Sequence, residues 1–81
     1  MRTTITLQVK DMHRITDSMK IEKALNSLPS VRSRVNIASG NALVKYNPQS
    51  FSLDTILDTI TDCGFVALIK YDQPRLEMMQ N

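Results

Sequence analysis

The sequence predicts an α+β fold: one four-stranded antiparallel sheet with two helices packed on one of its faces. Three observations carry this. The apolar period changes along the chain between two and 3.6, in the order strand, helix, strand, strand, helix, strand. The two helical segments share the apolar spacing i, i+3, i+4, i+7, so each has one stripe to bury. A short glycine-containing turn between the two central strands makes them a hairpin, which joins two split βαβ halves.

The first strand comes from TTITLQVK, which sets Ile5, Leu7 and Val9 against Thr4, Thr6 and Gln8. The first helix carries the stripe Ile21, Ala24, Leu25 and Leu28. Thr16 is its expected N-cap, Asp17 suits the positive end of the helix dipole, and Pro29 ends it for want of a backbone donor. A second strand is expected over 31–38, with Val35 and Ile37 alternating against Arg34 and Asn36. Ser39-Gly40-Asn41 reads as the hairpin turn, where Gly40 and Asn41 can take positive φ.

The third strand places Ala42, Val44 and Tyr46 on one face, and Asn47-Pro48 stops it. The second helix has clearer end signals. Ser52 is the N-cap, Phe51 is placed to staple onto Ile56, and Gly64 is the left-handed C-terminal residue. Its stripe is Leu53, Ile56, Leu57 and Ile60, and a final strand follows over 65–70. Together these elements form a ferredoxin-like βαββαβ domain over 1–70, whose other sheet face carries Thr, Gln, Lys and Arg and stays wet. Residues 71–81, YDQPRLEMMQN, lack a period, contain Pro74 and read as a flexible tail or linker.

Composition narrows the function. With 81 residues the chain supports one thin core, and its 42% apolar and 22% charged residues are ordinary for a soluble domain. A net charge of +2, no basic run, and only two Phe and two Tyr argue against nucleic acid. Cys63 is the only cysteine, which excludes an internal disulfide framework and a four-cysteine zinc site. The N-terminus MRTTITLQV alternates apolar and polar residues, so it lacks the continuous apolar core of a signal peptide. No apolar run approaches the ~20 residues of a membrane span, so a cytoplasmic location is expected. An activated nucleophile, a carboxylate pair in a cleft and a glycine-rich phosphate loop are all missing, so no enzyme is expected.

Several landmarks at fixed spacing add a family. They are Asp11-Met12-His13-Arg14-Ile15-Thr16-Asp17, Ile21-Glu22-Lys23-Ala24-Leu25, Pro29-Ser30-Val31, Ser39-Gly40-Asn41-Ala42 and Asp62-Cys63-Gly64-Phe65. Over about residues 3–69 the chain resembles the heavy-metal-associated domain family of copper chaperones and of the N-termini of soft-metal transport ATPases. That family carries an opening GMTCxxC, an IEKAL-like helix, a PGV turn, an SGKA hairpin and a closing DAGF. The resemblance implies the same fold and a loop in which two thiolates hold a soft ion such as Cu(I).

At the two thiolate positions this sequence has Arg14 and Asp17. A guanidinium has no lone pair to donate, and a single carboxylate is a hard oxygen donor. The expectation is therefore a heavy-metal-associated domain without its metal pair and without a cofactor, acting as a docking or regulatory module in copper or soft-metal transport. The resemblance implies a protein partner, either another such domain or a metal-transport ATPase, met through the loop and the helices. The loop residues are Met12, His13, Arg14 and Asp17, with Met12 packed beneath the loop and Arg14 near enough to Asp17 for an exposed ion pair. Lys20 and Lys23 give the first helix a basic side, while Asp54, Asp58 and Asp62 form an acidic line on the second, with Phe65 beyond it. The alternative is weak copper or zinc binding through His13, Asp17 or Cys63, or a site shared between two copies.

Overall fold

Alternation along Thr3–Lys10 (β1) turns Ile5, Leu7 and Val9 inward, leaving each no more than 4% exposed. The computed structural model describes residues 2–71. After β1 come α1 (Ile15–Asn26), β2 (Arg32–Asn36), β3 (Asn41–Tyr46), α2 (Leu53–Asp62) and β4 (Val66–Tyr71). The strands form one antiparallel sheet in the order β2-β3-β1-β4, so the chain's first strand lies in the middle. Ile5 faces Val44 and Leu7 faces Ala42 across β1 and β3, which sets the inner sheet face in register.

Both helices lie on that inner face, α1 over β2 and α2 beside β4. Their stripes meet it through Ile21 and Leu25 of α1 and Ile56 and Ile60 of α2, all fully buried. Val31, Ala42, Val44 and Tyr46 complete the core, and Met12, Leu28, Phe51, Leu57 and Phe65 pack around it half-buried. This is the predicted fold.

The helix ends show how local chemistry sets the boundaries. At α2 the Ser52 hydroxyl accepts from the Thr55 amide at 3.2 Å, as its N-cap role requires. Past the far end, Gly64 has φ +96°; its amide donates to the Thr61 carbonyl at 2.9 Å and the Phe65 amide to Ile60 at 3.4 Å. Those two bonds are the Schellman pair, which closes the carbonyls a helix end leaves open. α1 stops at Asn26, before Pro29, and its C-cap Ser27 returns its hydroxyl to the Ala24 carbonyl at 2.6 Å. Leu28 thus reaches the core from just beyond the helix rather than from its last turn. Asn26 also ties this end to β2, accepting from the Ser33 amide at 2.7 Å and the Ser33 hydroxyl at 3.1 Å.

Three expectations are corrected. β2 ends at Asn36 rather than running to residue 38, because the Asn36 side-chain oxygen accepts from the amides of Ala38 and Ser39. Those amides bend into a turn instead of a ladder. Within that turn Gly40 takes φ +75°, but Asn41 is already the first residue of β3 and is not left-handed. The outer sheet face is also less polar than expected, since Leu43, Val66 and Leu68 stand on it about half exposed. β4 runs to Tyr71, and the tail expected after it lies outside the described residues.

Candidate functional site

The loop between β1 and α1 is built by one carboxylate. Asp17 Oδ2 accepts from the His13 amide at 3.1 Å and from the Arg14 amide at 3.2 Å. Both N–H groups belong to the positive end of α1, where a carboxylate is favoured by hydrogen bonding and by the dipole. Arg14 is consequently the N-cap, with extended backbone at φ −122° and ψ 152°, and the helix starts at Ile15. Thr16, the expected cap, lies inside the first turn. A guanidinium has no acceptor, so the Arg14 side chain caps nothing, and the bonding runs one way from backbone to Asp17. The expected Arg14–Asp17 ion pair is not what shapes the loop: the carboxylate is bonded to backbone.

The Asp17 carboxyl is held below the ordinary aspartate range, first by the His13 amide, then by the Arg14 amide, with smaller help from the two neighbouring side-chain charges. A lowered folded value means that this group stabilises the native state above the ordinary aspartate range. That contribution disappears as pH falls through the lowered value. Asp17→Ala is therefore expected to lower the thermal midpoint near neutral pH. The gap from the parent should close in strong acid, which circular dichroism melts across a pH series would read.

The other loop residues divide by exposure. Met12 is half-buried and packs against the core, as expected of a residue beneath the loop. His13 and Arg14 are exposed. Asp11 and Ser30 take φ +65° each, a left-handed backbone uncommon for residues other than glycine. They stand where the GMTCxxC and PGV patterns carry glycine, the residue that takes this conformation at least cost.

Lys20 and Lys23 are exposed on α1, and Asp54, Asp58 and Asp62 are exposed on α2. Phe65 is half-buried against the core. Cys63 is the half-buried C-cap of α2 and packs on the core. Among the described residues no three His, Cys, Asp or Glu side chains come together as a metal site. Sequence reasoning missed two residues here. Ile15 and Met19 lie one turn apart at the start of α1, 62% and 59% exposed, next to Arg14. Ile15 precedes the buried stripe and Met19 falls outside it, so the period that located the helix could not select them.

No family model matches the sequence. Solved structures do. The N-terminal domain of a potential copper-translocating P-type ATPase from Bacillus subtilis, in its Cu(I)-loaded state, superposes with a TM-score of 0.85 at 26% identity, covering 95% of this chain and 98% of that one. The chain belongs to the heavy-metal-associated domain family. A copper-binding domain of another P-type ATPase matches with a TM-score of 0.83 at 26% identity, over 88% of this chain and 97% of that domain. Among whole proteins, a copper-exporting P-type ATPase of Staphylococcus aureus is 35% identical over 60 residues, 74% of this chain. The heavy-metal-associated domain described here spans only 8% of that ATPase. No helix among its described residues is long and apolar enough to cross a membrane.

Proposed function

We propose that this domain is a docking or regulatory module of a copper or other soft-metal transport system, and that it does not hold metal tightly itself. One observation carries the reading: of the two residues at the thiolate positions, Asp17 is committed to the loop's own amides and Arg14 is a cation with no lone pair to give a metal. The remaining donors do not make up the loss. His13 is exposed beside the Arg14 charge, which repels an arriving cation, and Cys63 supplies a single sulfur at the end of the other helix.

What the loop offers instead is a protein-recognition surface. Exposed Ile15 and Met19 make a small apolar patch, bordered by Arg14, Lys20 and Lys23. Such a patch with a charged rim suits a protein interface, in which charge sets encounter rate and partner choice. On α2 the line Asp54, Asp58, Asp62 ends at the negative pole of its own helix, with no basic residue in the last turn. That placement opposes helix stability and favours a basic partner. The partner proposed is a second heavy-metal-associated domain or the body of a metal-transport ATPase, met in the cytoplasm, and the domain performs no reaction of its own.

The deciding measurement is a Cu(I) titration of the reduced protein against a chromophoric chelator, with Zn²⁺ run in parallel. The chelator is expected to keep both ions. Tight one-to-one Cu(I) uptake by the monomer would overturn the reading.

A further inference from the structure

A concave region of the domain lies away from the β1–α1 loop, at the corner where β2, β3 and the start of β1 meet the 27–31 loop. It is an open cleft of about 790 Å³, lined among others by Arg2, Arg32, Arg34 and Lys45. No Asp or Glu among the described residues lines it. All four cations are exposed, and none is bonded to another described side chain.

Their arrangement follows from strand register. Arg32 and Lys45 are directly opposite across β2 and β3, so they share the outer sheet face with Cβ atoms about 5 Å apart. Arg34 lies two residues on along the same face, about 7 Å away, opposite Leu43. Lys45 in turn faces Thr4 of β1, and Arg2, just before that strand, lines the same cleft. Like charges placed directly opposite destabilise a sheet, and among the described residues no acid lines the cleft to offset them.

We infer that this cleft binds a compact, multiply charged phosphate group, carried by a free anion or by a lipid headgroup. Two arginines at alternate positions on one strand offer forked donors that match phosphate oxygens in pairs, and Lys45 adds a point charge opposite Arg32. Three cations crowded within about two strand spacings suit a concentrated anion better than a long acidic segment, which would spread its charge. Among the described residues no aromatic side chain lines the cleft, so they provide no stacking platform of the kind a single-stranded nucleic acid site uses.

The test is a resonance titration of the ¹⁵N-labelled full chain with inorganic pyrophosphate, beside sulfate at matched ionic strength. Co-sedimentation with phosphatidylcholine vesicles, with and without phosphatidylinositol bisphosphate, runs alongside. Saturable pyrophosphate-dependent shifts at residues 32, 34 and 45 are expected. The pair Arg32→Gln with Arg34→Gln should weaken that binding at least about tenfold, whereas Lys20→Gln with Lys23→Gln on α1 should not. The arginine pair should not lower the melting temperature, because it relieves repulsion from Lys45, so lost binding would not mean lost fold. Binding to the bisphosphate vesicles without a response to free pyrophosphate supports the site and assigns it to a lipid headgroup. The same shifts with sulfate, equal weakening by the α1 pair, or no response to either probe overturns it.

Discussion

Arg14→Cys combined with Asp17→Cys is expected to turn the domain into a Cu(I) binder. The gain should be at least about a thousandfold in affinity, or roughly 4 kcal/mol. The geometry for it is in place. Met12 is packed beneath the loop and Asp11 holds the left-handed turn where the family has glycine. Positions 14 and 17 flank the first turn of α1, so two sulfur atoms there would lie on adjacent parts of one loop. Removing the Asp17 carboxylate frees the amides of residues 13 and 14, and a thiolate at position 17 would meet the same positive helix end, which lowers thiol pKa. Competition with a Cu(I) chelator under reducing conditions reads the result. A folded double variant that still leaves all copper with the chelator would show that the loop has lost more than its ligands.

Ile56→Ala should remove a large share of the domain's stability. Ile56 is fully buried where α2 presses on the sheet, and it belongs to the cluster with Ile5, Leu7 and Leu25. Deleting such a side chain costs about 2–5 kcal/mol, transfer and cavity together. A domain of this size holds only about 4–12 kcal/mol in total. Urea unfolding should therefore show a sharply lowered midpoint at unchanged slope. Leu43→Ala on the outer sheet face, about half exposed, is expected to stay within about 0.5 kcal/mol of the parent. Equal effects at the two positions would mean that the core has been assigned to the wrong face.

Those assignments rested on period, and period served well where one face is dry. Ile21, Leu25, Ile56 and Ile60 are spaced as helical neighbours and all four are buried. Serine and glycine around α2 marked its two ends because each acts through its own side chain or its own φ. α1 was harder to delimit. Its cap comes from inside the first turn, from Asp17 reaching back to residues 13 and 14, and no N-cap hydroxyl or amide announces it.

The hairpin shows the same limit. Asn36 continues the alternation of β2 in sequence while its side chain diverts the next two amides into a turn. The site was legible by resemblance where the backbone is concerned, and by donor chemistry at positions 14 and 17. The exposed pair Ile15 and Met19 was not, since an apolar residue outside the buried stripe carries no period of its own. The cationic cleft was equally hidden. Its charges come from residues 2, 32, 34 and 45, which only strand pairing gathers.

The Asp17 carboxylate has one more consequence. A loop that depends on two cysteines can be oxidised to a disulfide, and its outward shape then follows the redox poise of its surroundings. Here the same turn is fastened by an oxygen acceptor on two amides, which oxidants and reductants leave untouched. The backbone of this turn at the start of α1 therefore does not depend on thiol–disulfide chemistry.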